Sequence, residues 1–177
     1  MYLDYQQAFD SVPHERLLAK LSGYGLKGKV LDWLRDFLYD RYQQVVINGS
    51  KSSWAKVTSG VPQGSVLGPV LFLVYVNELP SLVQCGIKMF ADDAKLYMGL
   101  QDGSDALKLQ QGLDTLACWS DKRLLRFNTS KCKVMHCGRG IPRTTYTMNQ
   151  DGIKVPIGVG TGGGACPPLF VVGGQQC

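Results

Sequence analysis

The chain has 177 residues, 45% hydrophobic and 19% charged, which is the length and composition of one ordinary globular domain. Such a balance excludes a disordered chain or a coiled coil, and no apolar run reaches the roughly 18 residues of a membrane span, so no membrane partner is expected. Six cysteines spaced singly are too sparse for a disulfide framework and are expected as free thiols; the residues after Met1 lack a secretory leader's pattern, so an intracellular protein is expected.

Tyr2 to Phe9 is short and β-like. After Pro13, the run Leu17, Leu18, Leu21 from His14 onward predicts a helix that stops at Gly23 and Gly25. Val30, Leu34, Phe37 and Leu38 predict a second helix over about Lys27 to Tyr42. Asn48-Gly49 marks a hairpin whose expected strands are Val45 to Ile47 and Trp54 to Val57, joined by more than two residues. Val66 to Leu79 is almost continuously apolar and predicts a buried helix with Pro69 in its first turn. Gly86 to Phe90 and Ala94 to Met98 predict a hairpin with Asp92 and Asp93 at its tip, at the edge of buried structure because the flanks are largely apolar. Ala106, Leu109, Leu113, Leu116 and Ala117 give a third amphipathic helix closed by Trp119, and Lys133 to Cys137 a last short strand. From Ile141 glycines crowd the chain and no amphipathic period survives, so residues 141–177 are expected to be a disordered, low-complexity tail behind an ordered unit of residues 1–140.

The net charge of +5 is local in origin. Lys122, Arg123, Arg126, Lys131, Lys133, Arg139 and Arg143 supply seven of the 19 basic residues with no acid among them, leaving 12 against 14 acids elsewhere. A cationic strip in a near-neutral domain points to a polyanion, most often nucleic acid; a solvated helix end and loop is the bland equivalent.

Two constellations carry chemistry. Asp4 ends the first strand, and Asp92 with Asp93 sits at the hairpin tip. Three strand-borne carboxylates supply the hard oxygen ligands that hold two magnesium ions about 3.5–4 Å apart in phosphoryl transfer. The alternative is an ordinary solvated Asp pair in a turn. In Ser59-Gly60-Val61-Pro62-Gln63-Gly64-Ser65, glycines on either side of Pro-Gln permit close approach to a flat partner, and Gln63 offers an amide donor and acceptor. Ser65 as a helix cap would explain Gly64 and Ser65 but gives no reason for Gln63.

Together these segments resemble the reverse transcriptases of non-LTR retrotransposons, the jockey-like and related long interspersed elements. Leu3-Asp4-Tyr5-Gln6-Gln7-Ala8-Phe9-Asp10 through His14 is similar to their first palm motif, and Gly60 to Ser65 with Leu67-Gly68-Pro69 to the second. Phe90-Ala91-Asp92-Asp93 is similar to the third, and Leu125 to Met135, with Trp119 upstream, to the fourth. The motifs come in the family's order, from Met1 to about Met148.

The resemblance implies an α+β polymerase palm, a small antiparallel sheet backed by helices. It implies an RNA-directed DNA polymerase with RNA template, DNA primer and deoxynucleoside triphosphates as partners and two Mg2+ ions as cofactors. Asp4, Asp92 and Asp93 would hold metal, with the main-chain carbonyl of Tyr5 as a further ligand. Phe9 would lie under the nucleotide sugar, Gln63 and Gly64 at the incoming nucleotide or template. Lys131 would serve the departing pyrophosphate, and Lys122, Arg123, Arg126 and Lys133 would contact nucleic acid. Gln7 stands where the family commonly has lysine, and Glu78 where it has aspartate. The chain starts almost on the first aspartate, so fingers and thumb are expected from a longer product. The alternative function is a non-catalytic remnant, inert or RNA-binding. Zinc at Cys132, His136 and Cys137 is not expected, since the set lacks a second knuckle.

Overall fold

The computed structural model describes residues 1–138 and 143–160. In chain order the elements are β1 (Tyr2–Leu3), α1 (His14–Gly23), α2 (Lys29–Leu38), β2 (Tyr42–Gln43), β3 (Val46–Ile47), β4 (Ser50–Lys51) and β5 (Ala55–Lys56). They continue with α3 (Leu67–Val76), α4 (Leu79–Leu82), β6 (Gly86–Phe90), β7 (Asp93–Tyr97), α5 (Gly103–Arg123), β8 (Lys133–Val134), β9 (Thr147–Gln150), β10 (Ile153–Pro156) and β11 (Gly158–Val159). Among these described residues no helix is long and apolar enough to cross a membrane.

The sheet that organises the molecule runs β11-β8-β1-β7-β6, antiparallel throughout except for the parallel edge pair of β8 and β11. Its period-two alternation buries Leu3, Tyr5, Ala94, Leu96 and Val134 on one face. Against that face pack the apolar side chains of the helices, Leu71, Phe72 and Tyr75 from α3 and Leu109, Leu113 and Leu116 from α5. The expected α+β architecture of helices on a small sheet is therefore present.

Local chemistry explains where α5 starts and stops. Asp102 accepts from the amides of Ser104 (2.7 Å) and Asp105 (3.3 Å), while Asp105 reaches back to the amide of Asp102, a reciprocal capping box. At the other end Leu124 turns left-handed with φ 57°. Glu78, between α3 and α4, ties three helices. Its carboxylate accepts from Trp119 Nε1 (2.5 Å), Arg123 Nε (2.8 Å), Arg123 Nη2 (3.1 Å) and Lys20 Nζ (3.1 Å). Four donors fill the sites two carboxylate oxygens offer.

Three expectations are corrected. Asn48-Gly49 closes its hairpin as a two-residue loop, Ile47 pairing directly with Ser50, and Ala55-Lys56 pairs with Tyr42-Gln43 instead of the Val45 run. Positive φ at both Asn48 (49°) and Gly49 (82°) is what such a tight loop requires. The hairpin bearing Asp92 and Asp93 is not buried at its tip, where Phe90 is 83% exposed. The tail expected from Ile141 is folded over residues 143–160. β9 and β10 form a hairpin, β11 joins the sheet edge, and Tyr146, Met148 and Ile157 enter the core. Tyr146 and Met148 alternate at strand spacing, but the pair is too short to stand out beside the glycines, and Ile157 lies apart from it. Residues 139–142 and 161–177, including Arg139, lie outside the described residues.

Candidate active site

β1 and β7 place two of the three carboxylates. Tyr2 faces Lys95 and Leu3 faces Ala94, so the register carries Asp4 beside Asp93 where the ladder ends. With Leu3 and Ala94 facing the core, Asp4 and Asp93 fall on the opposite, outer face. Asp92 occupies the two-residue turn between Phe90 and Asp93, after Ala91 with φ 52°. Asp4 is held from the other side by Asn128, whose amide donates to its carbonyl at 2.8 Å, and Gln6 donates to Arg126 O at 2.7 Å. These two bonds bracket the Tyr5–Phe127 bridge, so the main-chain carbonyl of Tyr5 alternates away from it, toward the hairpin tip.

The Tyr5 ring lies beneath, stacked on Phe127 at 4.5 Å, with its hydroxyl buried and without a hydrogen-bond partner. Burial first, then the nearby Asp92 charge, pushes this phenol far above its ordinary range, so it stays neutral. Cys132 is likewise pushed up by burial; its thiol is an uncharged neighbour of the Asp4 carbonyl.

Lys131 Nζ stands 3.4 Å from Asp4 Oδ2, both side chains partly in solvent. An ion pair this open is worth about 0–1 kcal/mol, so the ammonium yields the carboxylate to another cation at little cost. The donor set is all hard oxygen, which suits magnesium. It is not a closed cage as it stands: among the described residues no three His, Cys, Asp or Glu side chains converge as a metal site. That holds for Cys132, His136 and Cys137 as well. Cys85, Cys118, Cys132 and Cys137 are free thiols, and Cys166 and Cys177 lie outside the described residues.

The glycine-rich loop is fastened across the segment that follows Asp4. Gly60 N donates to Val12 O (2.8 Å), Val61 N to Phe9 O (2.7 Å) and Ser59 Oγ to Asp10 O (2.8 Å). The buried His14 donates through Nε2 to Gly60 O at 2.8 Å. Gly60 has φ +92°, and a Cβ there would stand 2.7 Å from Asp10 Cα, so no other residue fits. Gln63 is exposed and donates through Nε2 to Asp10 Oδ1 at 2.8 Å, with Gly64 exposed beside it. Phe9 is half-buried, its ring stacked on Phe72 at 4.8 Å.

The basic strip is less free than its sequence. Arg123 is spent on Glu78, and Arg126 pairs with Asp151 at 2.9 Å, an acid supplied by the β9–β10 turn. Lys133 Nζ donates to Ser130 O, and Lys122 is exposed. Sequence reasoning passed over Asp10 and His14, whose partners lie about 50 residues away and leave no local signal. It met Glu78 only as a departure from a pattern.

Residues 1–159 match the family model described as "Reverse transcriptase (RNA-dependent DNA polymerase)". The chain belongs to the reverse transcriptase family. It is 34% identical over 140 residues to the RNA-directed DNA polymerase from mobile element jockey of Drosophila melanogaster, across 74% of this chain and 15% of that protein. It is 36% identical over 137 residues to the probable RNA-directed DNA polymerase from transposon X-element of the same fly, with the same coverage, 74% and 15%. The Pol polyprotein from type-1 retrotransposable element R2 of Popillia japonica is 28% identical over 174 residues, 88% of this chain and 28% of that one. This member of the family thus spans about 15–28% of the length of these relatives, which are reverse transcriptases of non-LTR retrotransposons.

Proposed function

We propose that this chain is the palm of an RNA-directed DNA polymerase that joins deoxynucleotides to a DNA primer on an RNA template, inside the cell. The observation that carries the reading is the register that sets Asp4 beside Asp93, with Asp92 in the adjoining two-residue turn. Asp4, Asp92, Asp93 and the Tyr5 carbonyl would hold two Mg2+ ions. Bound there, the ions would supply activation of the primer hydroxyl and neutralisation of phosphate charge.

The chain's own groups then divide the work. Lys131, 3.4 Å from Asp4, balances the carboxylate's charge and is placed to give a proton or positive charge to the leaving pyrophosphate. Phe9, braced on Phe72, offers a flat apolar floor for the sugar and blocks a 2′-hydroxyl. Gln63 and Gly64 meet the nucleotide at an open loop. Lys122 and Lys133, together with whatever charge Arg123 and Arg126 retain beyond their acids, attract the nucleic-acid backbone.

Primer extension on an RNA template tests this directly. The full chain should extend the primer, and Asp92→Asn and Asp93→Asn should each lose on the order of a hundredfold in rate. Equal synthesis by the variants, or none by any chain, would overturn the proposal and favour a non-catalytic remnant.

A further inference from the structure

The outer face of the sheet carries a row of cations of which the basic strip of residues 122–143 supplies only one end. Pairing runs from Lys88 to Lys95, from Lys95 to Tyr2 and from Tyr2 to Lys133, so one line of residues crosses β6, β7, β1 and β8. Paired residues share a face, and Leu3, Ala94, Leu96 and Val134, next to them in sequence, point into the core. The row therefore stands on the outer face, with Asp4 and Asp93, and all three lysines are exposed. Four strands at about 4.8 Å make it about 14 Å long, and it lies two residues, about 7 Å, from those carboxylates.

Lys95 Nζ lies over the Tyr2 ring at 5.0 Å, and Lys133 Nζ donates to a carbonyl, Ser130 O, at 3.0 Å. Among the described residues none of the three lysines forms an ion pair, in contrast to Arg123 and Arg126. Like charges facing each other across a strand pair are destabilising, so Lys88 opposite Lys95 weakens the sheet unless an anion lies over it.

We propose that Lys88, Lys95 and Lys133, with the Tyr2 ring between the last two, form a track for the phosphates of the primer strand immediately behind its 3′ end. A row of cations calls for a repeated anion, and a phosphodiester backbone supplies one. The choice of strand rests on the polymerase reading. The primer hydroxyl has to meet the carboxylates, so the phosphates just behind it are the nucleic-acid charge closest to a row about 7 Å away. Phe9 and Gln63 belong to segments that follow Asp4, whereas the row lies on the stretch of β1 that leads up to it, which gives nucleotide and primer separate approaches.

The experiment measures binding of a fluorescent RNA–DNA primer–template duplex over a salt series, with the full chain and its Lys88→Gln, Lys95→Gln, Lys88→Gln/Lys95→Gln and Lys29→Gln variants. Each sheet lysine removed should weaken binding roughly fivefold at about 0.1 M salt and lower the slope of log affinity against log salt by about 1, while Lys29→Gln, on α2, changes neither. Uncharged methylphosphonates in place of the three phosphates nearest the primer 3′ end should weaken binding by the wild type and leave that of the double variant almost unaltered. The same replacement in the template should weaken both alike. Urea midpoints of the glutamine variants should not fall, which separates a lost contact from a lost fold. Lys88→Glu sets opposite charges face to face with Lys95, so without nucleic acid it should raise the midpoint by about 0.2–0.5 M while weakening binding more than Lys88→Gln does.

An affinity and slope unmoved in the double variant, a lysine effect that follows the template phosphates, or no binding of the duplex by the wild type at low salt would overturn the proposal. All these readouts are of binding or stability. A chain that binds as expected here and yet extends no primer removes the polymerase reading and leaves the phosphate track standing.

Discussion

Residues 41–57 and residues 59–64 are neighbours in the chain, both rich in turn-forming residues and both at the surface, yet they are held in opposite ways. The second segment is fixed to residues 9–14 by three main-chain or hydroxyl bonds, by buried His14 and by the Gln63–Asp10 pair. The first is a two-stranded ribbon whose bonds, apart from an exposed Lys56 Nζ–Asp40 Oδ1 contact at 3.1 Å, run only within itself. Its ladder runs from Val57 N–Arg41 O through Gln43–Ala55 and Val45–Ser52 to the Asn48-Gly49 loop, with Gln44 facing both Ser53 and Trp54 as a bulge. Tyr42, Val45, Val46, Ile47 and Trp54 are all exposed. An isolated ribbon of this kind is marginal in water. What separates the two segments is not their composition but how far their bonds reach: a bond that spans 46 residues, as His14 to Gly60 does, ties a loop to the global fold, and one inside a hairpin does not.

Glycine substitution gives the largest contrast. Gly60→Ala forces a Cβ to within 2.7 Å of the Asp10 backbone at φ +92°, where neither chain can move aside without breaking the bonds just described. Its unfolding free energy should fall by about 3 kcal/mol or more, combining left-handed strain with overpacking. Gly49→Ala has a similar φ, +82°, but nothing within 4 Å, so it should cost about 1 kcal/mol. Urea unfolding followed by tryptophan fluorescence measures both. Equal costs would mean the glycine-rich loop is no better anchored than the ribbon.

Glu78 extends the same logic to charge. Burial alone would push its carboxyl up, but hydrogen bonds from Trp119 and Lys20 and the charges of Lys20 and Arg123 outweigh that and hold it below the usual carboxylate range. A folded-state pKa below the unfolded one means the unfolded chain binds the proton more readily. The stabilisation is therefore fully present above about pH 4.3 and is lost as the pH falls through the depressed value. Glu78→Gln keeps the shape, cannot match four donors, and should cost about 2 kcal/mol at pH 7. The gap between wild type and variant should hold above about pH 4.3 and narrow as the pH falls below it in urea titrations. A gap of constant size throughout would show that the carboxylate's charge contributes nothing to holding α1, α3 and α5 together.

Periodicity made the helices legible: Leu17, Leu18 and Leu21, and Leu109, Leu113 and Leu116, are buried where their spacing puts them. The acidic hairpin was legible for a similar reason, since Asp92 and Asp93 interrupt two apolar runs at a turn. The short strands were harder. β1, β8 and β11 are two residues each, below the length at which alternation is visible, and they exist because neighbouring strands supply their hydrogen bonds. The same applies to the site. Asp4, Asp92 and Asp93 were found by residue type and order, while Asp10 and His14 act through partners 53 and 46 residues away. The basic strip of residues 122–143 looked uniformly cationic because Glu78 and Asp151, which pair with Arg123 and Arg126, lie outside it in sequence.

The smallest expected effect lies in the ribbon, where a near-zero result is itself informative. Trp54 is a large apolar residue, but it is 67% exposed at the bulge, so Trp54→Ser removes little buried area. It should change stability by less than about 0.5 kcal/mol, whereas truncating a buried aromatic costs about 3–5 kcal/mol. Amide exchange gives the matching local readout. The amides of Ser52 and Val57, bonded within the ribbon, should exchange by local opening, while those of Gly60 and Val61, bonded to Val12 and Phe9, should need a much larger opening. If Ser52 and Val57 prove as protected as Gly60 and Val61, or if Trp54→Ser costs as much as a core truncation, the ribbon is anchored by the domain after all. The boundary between fixed and free backbone would then lie nearer Tyr42 than Ser59.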